Sequence, residues 1–162
     1  MTVTDVRKDP ERLTMTITAE FDVTAGRAWQ LWSDPRKLER WWGPPTYPAT
    51  VVEHDLVPGG AITYFMTGPD GERYRGLWRV LEVVAPRSLT IEDGFADETG
   101  AIVADMPVTV MTVRFEDRTA GGVTMTIESR FASLEAMDQL VAMGTQEGIT
   151  LAIGQIDAIL AA

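Results

Sequence analysis

Few side chains in this sequence are suited to covalent or metal-assisted chemistry. The chain has one histidine, His54, and no cysteine. A zinc site would need several carboxylates around that imidazole, and no serine stands in a Gly-x-Ser-x-Gly turn. On a strand, the neighbouring Glu53 and Asp55 would point away from His54, which leaves it without an orienting partner. With no phosphate loop or dinucleotide fingerprint either, we expect no metal and no organic cofactor.

A carboxylate is the other candidate for polar chemistry. Glu128 and Arg130 share one face of a predicted strand, and Arg114 on the adjoining strand could pair with Glu128 if that face turned inward. The alternative is a surface ion pair, which would contribute only about 0 to 1 kcal/mol. An enzyme of the cyclase or hydrolase type could use His54, Glu128 or Glu147 as a proton carrier, and we keep it as one alternative function.

Aromatic and methionine residues form a more informative set. Aromatic side chains supply flat apolar walls and methionine adapts to irregular shapes, so the set suits a ligand pocket as well as a core. Trp78 and Tyr64 also carry polar atoms that could orient a ligand. No catalytic residue is assigned. The candidate ligand-binding residues are Trp42, Tyr64, Trp78, Met111, Glu128, Met143, Gly144, Glu147 and Gly148.

The stretch from Ser133 to Leu160 is predicted to form one long helix, with Ser133 as its N-cap. Its main face at helical spacing consists of Met137, Val141, Gly144, Gly148, Leu151, Gln155 and Ile159. A glycine inside a helix costs about 1 kcal/mol relative to alanine, so the two glycines need another reason. Either they leave an open cavity with Gln155 nearby, or they permit close packing. The open-cavity interpretation predicts that Gly144→Leu is tolerated.

A second apolar stripe runs along the same predicted helix. It contains Ile149, Ile153, Ile156 and Leu160. A helix that is apolar over so much of its circumference is either held deeply within its own subunit or packed against another one. The stripe therefore also motivates a possible homodimer.

The remaining pattern predicts an antiparallel α+β fold. Met1 to Pro10 are expected to be loose, Leu13 to Val23 alternate as a strand, and two short helices follow up to Gly43-Pro44-Pro45. Six strands come next, at Ala49 to Leu56, Ala61 to Thr67, Arg73 to Val84, Ser88 to Asp93, Val108 to Glu116 and Val123 to Phe131. About seven strands, in the order β-α-α-β-β-β-β-β-β-α, would curl around the last helix. Gly94 to Pro107 is either a lid, an acidic surface loop or a small hairpin.

Composition limits the class of protein. The 162 residues are 45% hydrophobic with no run long enough for a bilayer, which indicates one soluble domain over residues 1–162. A formal charge of −10 disfavours binding to nucleic acid or to an anionic membrane. The absence of cysteine and of a secretory signal pattern favours the cytoplasm.

Short motifs resemble the activator of heat-shock protein 90 ATPase homologue family, within the START-like or SRPBCC superfamily. They are Leu38-Glu39-Arg40-Trp41-Trp42-Gly43-Pro44, Asp55-Leu56-Val57-Pro58-Gly59-Gly60, Gly68-Pro69-Asp70-Gly71, Gly76-Leu77-Trp78-Arg79-Val80, Pro86-Arg87-Ser88-Leu89, Gly121-Gly122-Val123-Thr124, Gly144 and Glu147-Gly148. The chain departs from the family pattern at Val57 and Ile149, where arginine and tryptophan are frequent.

The resemblance implies a helix-grip fold with a deep cavity between the sheet and the C-terminal helix. It implies no single reaction. Our leading hypothesis is a binding protein for a small apolar or amphipathic ligand. The family name implies a second hypothesis, a module that stimulates a chaperone ATPase.

Overall fold

The computed structural model describes residues 3–161 as one eight-stranded antiparallel sheet covered by helices. The strands are β1 (Val3–Asp9), β2 (Thr14–Phe21), β3 (Ala49–His54), β4 (Ala61–Thr67), β5 (Arg73–Val84), β6 (Ser88–Ala96), β7 (Thr109–Asp117) and β8 (Val123–Arg130). The helices are α1 (Ala25–Ser33), α2 (Pro35–Trp41), α3 (Leu134–Ala142), α4 (Thr145–Ile153) and α5 (Ile156–Leu160). The predicted α+β fold class is confirmed. None of the helices described is long and apolar enough to cross a membrane.

The strand order is β1-β2-β8-β7-β6-β5-β4-β3, so every strand from β3 to β8 pairs with its neighbour in the chain. The first two strands join the rest of the sheet where β2 pairs with β8, from Thr14 opposite Arg130 to Phe21 opposite Val123. Alternation along the strands buries one side of the sheet. We call this side the inner face; it carries Ile62, Trp78, Ile91, Val113 and Ile127, each at most 1% exposed.

The N-terminal segment corrects one expectation. Residues 1–10 were expected to be loose, yet Val3–Asp9 form β1 on the edge of the sheet, paired with β2. Val3 and Val6 pack against the core, but the apolar residues of this strand do not alternate strictly, so the period-two signal is missing. Met1 and Thr2 lie outside the described residues. The sheet thus has eight strands where the sequence predicts about seven.

Helices α1 and α2 close one end of the inner face. Thr24 caps α1 by accepting a hydrogen bond from the Arg27 backbone N–H at 3.2 Å, and Asp34 caps α2 through the Arg36 N–H at 2.9 Å. Trp41 joins the two helices by donating from Nε1 to the Leu31 carbonyl at 2.9 Å. These helices therefore add a tryptophan-rich layer beside the sheet.

The C-terminal segment is helical but it is not one continuous helix. Gly144 has φ +87, a left-handed backbone that ends α3 and begins α4. Its N–H donates to the Val141 carbonyl at 3.0 Å, a bond that closes the last turn of α3. The second break falls at Gly154 and Gln155. There Gln155 Nε2 donates to the carbonyls of Gly43 at 2.7 Å and Trp41 at 3.2 Å, so this amide anchors the segment and does not serve the cavity.

The breaks rotate the buried face of this segment. Ile153 and Ile156 are fully buried, whereas Leu151 on the predicted main face is 57% exposed. Ile149 and Leu160 are half-buried and pack against the core. Most of this stripe is thus buried within the subunit, and the homodimer that it suggested stays a prediction.

The connection between β6 and β7 is partly ordered as a small hairpin. Strand β6 runs to Ala96, beyond its predicted end at Asp93, and Ala96 bridges to Ile102. Asp97 holds the turn by accepting from the backbone N–H of Thr99 at 2.8 Å and of Ala101 at 3.1 Å. Of the three interpretations of this segment, the geometry favours the hairpin.

Candidate functional site

A cavity of about 150 Å³ lies between the inner face of the sheet and helices α3 and α4. Its position is the one expected from the resemblance. An apolar cavity of this size can hold one benzene-sized molecule. The apolar part of its wall is formed by Met66, Phe95, Met111, Phe131, Leu140 and Ile149, and the polar part by Tyr64, Tyr74, Arg75, Asp93, Thr109, Ser129 and Thr145.

Strand alternation aims the two polar groups of most interest, Tyr64 and Asp93, at this space. Tyr64 lies on β4 between the inward positions of Ile62 and Met66. Asp93 follows Ile91 by two residues on β6, opposite Trp78 on β5 and Thr109 on β7. Tyr64 and Asp93 therefore project from the same face of the sheet, with β5 between their strands.

Gly76 leaves the space that the Tyr64 side chain occupies. It is paired with Tyr64 across β4 and β5, and a Cβ on Gly76 would overlap the ring and hydroxyl of that tyrosine. The phenol therefore lies directly over the backbone of β5. Any side chain at position 76 would push the Tyr64 hydroxyl away from its place in the cavity wall.

Asp93 is an acid held in mostly apolar surroundings. Its burial raises the pKa of the carboxyl from 3.8 to about 7, although donor contacts from Trp78 and Tyr64 act in the opposite direction. Burial and the nearby charge of Asp93 also raise the pKa of Tyr64, which stays protonated at neutral pH. The cavity wall therefore holds a carboxylate that accepts and, beside it, a hydroxyl whose proton is directed at that carboxylate. Near pH 7 the carboxyl can also exchange a proton with a group in the cavity.

A layer of tryptophans supports this pair. Trp42 packs edge-on against Trp78 with ring centroids 4.7 Å apart, and Tyr64 lies 5.7 Å from Trp78. Trp78 is fully buried and Trp42 is 6% exposed, so both stand behind the cavity wall. Neither indole N–H makes a hydrogen bond of standard geometry, and their donor contacts to Tyr64 and Asp93 are accordingly weak.

The nine residues proposed from the sequence as ligand-binding do not all meet. Tyr64 and Met111 line the cavity, and Trp42 and Trp78 support it from behind. The other five lie outside its wall. They are Glu128, Met143, Gly144, Glu147 and Gly148.

Strand alternation and helix rotation explain these corrections. Glu128 lies on the outer face of β8, where it is 3.9 Å from Arg130 and not paired with Arg114. Met143 at the end of α3 is 54% exposed, and Glu147 is also exposed. Gly144 serves the backbone break, and no atom lies within 4 Å of a Cβ placed on Gly148. None of the five can touch a ligand in the cavity as it stands.

His54 has a structural position. Its Nε2 lies 2.9 Å from the Trp32 carbonyl, and this bond ties the end of β3 to α1. The imidazole does not border the cavity. Within residues 3–161, no group of three His, Cys, Asp or Glu side chains is arranged to hold a metal ion.

Asp93 is the functional candidate that the sequence reasoning missed. A signal existed, because Leu89, Ile91, Asp93 and Phe95 alternate on one face and place a single acid in an apolar row. With β6 predicted to end at Asp93, the acid looked like an ordinary residue at a strand boundary. Extending the strand by three residues turns it into an inward-facing group.

Solved structures of related proteins share this fold. The crystal structure of protein Ms6760 from Mycobacterium smegmatis is 51% identical, with a TM-score of 0.90, and the match covers 98% of this chain and 96% of that one. A solution structure of a protein from Arthrobacter aurescens is 49% identical with a TM-score of 0.93, covering 99% and 92% of the two chains. The AHSA1 protein of Silicibacter pomeroyi, 23% identical with a TM-score of 0.74 over 91% of this chain and 97% of that one, shares the fold.

No curated protein matched the chain. The family model described as Activator of Hsp90 ATPase homolog 1-like protein matches residues 22–161, from the end of β2 through α5. This match includes Tyr64, Asp93 and every strand that lines the cavity. The chain therefore belongs to the AHSA1-like family of SRPBCC domains.

Proposed function

We propose that this protein binds a small, mostly apolar molecule between the sheet and helices α3 and α4. The observation that carries the proposal is the cavity of about 150 Å³, whose wall is apolar apart from a few inward polar groups. Binding pockets commonly combine an apolar lining with a few polar groups that fix orientation. Here Tyr64 and Asp93 supply that orientation.

The size of the cavity defines the first ligands to test. Pockets for drug-sized molecules measure about 300 to 1,000 Å³, so this one suits a single ring or a short branched chain. Larger ligands would require the wall to open. Tyr74 borders the cavity and is 57% exposed, so the cavity wall reaches the protein surface at this residue. Phe95 and Pro107 bring both ends of the segment from Gly94 to Pro107 to the wall, and its role as a lid stays a prediction.

A matched pair of variants on α4 tests the proposal. Ile149→Phe adds volume to the cavity wall, whereas Leu151→Phe adds the same kind of ring to an exposed position on the same helix. We expect toluene to raise the melting temperature of the wild type and of Leu151→Phe, and to have little effect on Ile149→Phe. Each shift is compared with the same variant without toluene, and native mass spectrometry of the purified protein searches for a retained ligand. Equal toluene responses in all three proteins would contradict binding in this cavity.

The family name suggests a second candidate function, stimulation of an Hsp90 ATPase. It is tested by adding the purified protein to the chaperone and measuring ATP turnover, and unchanged turnover would remove it. The enzyme alternative through His54, Glu128 or Glu147 has no support from the geometry, because none of these side chains borders the cavity. A cytoplasmic location also stays a prediction.

A further inference from the structure

Asp93 brings an acid into the cavity without a cation beside it. Among residues 3–161, no lysine, arginine or histidine lies within ion-pair distance of its carboxylate. Arg75 borders the cavity, but its guanidinium carbon lies 5.4 Å from the Phe65 ring, on the outer face of the sheet. The remaining titratable groups in the wall are Tyr64 and Tyr74, and neither carries a positive charge. The charge of ionised Asp93 is thus unbalanced.

The protein gives the carboxylate of Asp93 only weak donor contacts. They come from Trp78, whose indole N–H makes no hydrogen bond of standard geometry, and from Tyr64, whereas an ionised carboxylate has acceptor sites for about four hydrogen bonds. Because Asp93 borders the cavity, a molecule inside it can reach the acceptor sites left over. A ligand that donates hydrogen bonds and carries positive charge would fill them, whereas an anionic ligand would meet like charge. Aromatic rings around the pair also favour a cation.

We propose that the ligand of this cavity is a small ammonium compound, with its charged nitrogen against Asp93 and its apolar body against Met111, Leu140 and Ile149. This inference rests on the proposed function and names the chemical class of its ligand. Met111, Leu140 and Ile149 line the same cavity as Asp93 but come from β7, α3 and α4, whereas Asp93 comes from β6. A ligand in the cavity can therefore contact both the carboxylate and these apolar side chains. The chain's formal charge of −10 would also attract a cation to the protein.

Three ring compounds of nearly equal size separate the effect of charge from that of apolar contact. They are toluene, benzyl alcohol and benzylamine, whose dissociation constants are measured by calorimetry at pH 6 and pH 8. Asp93→Asn removes the carboxylate charge in the cavity. Glu92→Gln is the control, because it removes a carboxylate at the preceding position, on the outer face of the same strand. Hydrogen bonds to charged groups lead us to expect benzylamine to bind at least about tenfold more tightly than toluene at pH 8.

The preference for benzylamine should grow from pH 6 to pH 8 as Asp93 ionises, because the amine remains protonated over this range. Asp93→Asn should abolish the preference and leave toluene binding in place, and Glu92→Gln should keep both. If Asp93→Asn does not fold, the wild-type pH profile decides the matter. Equal binding of toluene and benzylamine at both pH values would overturn the ammonium inference and leave the proposed function standing. Failure of all three compounds to bind would overturn both.

Discussion

The two glycines of the α3–α4 region should respond to the same substitution with opposite signs. Gly144 has φ +87, a conformation that costs a residue with a side chain roughly 1–2 kcal/mol. Gly148 lies inside α4, and a Cβ placed on it meets nothing within 4 Å. Alanine at 148 should therefore gain up to about 1 kcal/mol of helix propensity, while alanine at 144 should lose stability through strain.

Thermal and urea denaturation measure both effects. For a chain of this length about 1 kcal/mol shifts the melting temperature by roughly 2–4 °C, so we expect a fall of roughly 2–8 °C for Gly144→Ala and a rise of roughly 2–4 °C for Gly148→Ala. Gly144→Asn is the control, because asparagine tolerates the left-handed region better than alanine. The urea midpoint should move without a change in slope.

A neutral Gly144→Ala would show that α3 and α4 can join into one straight helix without cost. A fall in stability for Gly148→Ala would show that the space beside α4 is filled. Either result would refute the reasoning. The same backbone angle reverses the expectation from the sequence that Gly144→Leu is tolerated, since leucine would carry the strain of the left-handed region as well as its larger side chain.

Three further predictions follow from the contacts of the cavity and its supports. Asp93 has a folded-state pKa of about 7 against 3.8, so the native state holds its proton more tightly. Wild-type stability in urea denaturation should therefore fall relative to Asp93→Asn as pH rises from about 4 to 7, and because the side chain is only half-buried we expect a loss of about 1–3 kcal/mol, less than the full shift implies. A constant difference would contradict this prediction. Gly76→Ala should cost roughly 1–3 kcal/mol by displacing Tyr64, and Tyr64→Phe in the same background should recover part of the loss, whereas a neutral Gly76→Ala would place Tyr64 elsewhere. Gln155→Leu should cost about 1–3 kcal/mol because the Gly43 carbonyl loses its donor, and an unchanged melting temperature would show that water replaces the amide.

The sequence predicts the sheet well because its turns and alternation are local signals. Pro58-Gly59-Gly60 and Gly68-Pro69-Asp70-Gly71 each separate two alternating stretches, and both close hairpins as expected. The helical region was harder to predict. A helical period read across Gly144 and Gln155 assumes constant phase, and the left-handed residue shifts that phase, which is why Leu151 is exposed and Ile153 is buried.

The candidate site was predicted in part for a related reason. Tyr64 and Met111 stand inside strands whose alternation is clear, so their inward direction could be inferred. Glu128 was proposed as a ligand-binding residue on the condition that its face of β8 turned inward, and the apolar residues of that strand lie on the other side. A prediction that Asp93 faces the cavity depended on where β6 ends. The end of a strand is set by pairing with its neighbours, here β5 and β7, and that pairing is not a local signal in the sequence.

The cost of Asp93 is itself an argument for a ligand. An acid in this position destabilises the folded state above pH 4, and the surrounding tryptophans hold their N–H groups without well-formed hydrogen bonds. A core selected for stability alone would be better served by an apolar residue at 93, since a half-buried charge without a partner costs free energy. Gly76 likewise has no side chain, and this leaves room for the Tyr64 hydroxyl beside the cavity. A molecule with complementary charge in the cavity would account for both features, and the benzylamine measurements test this condition.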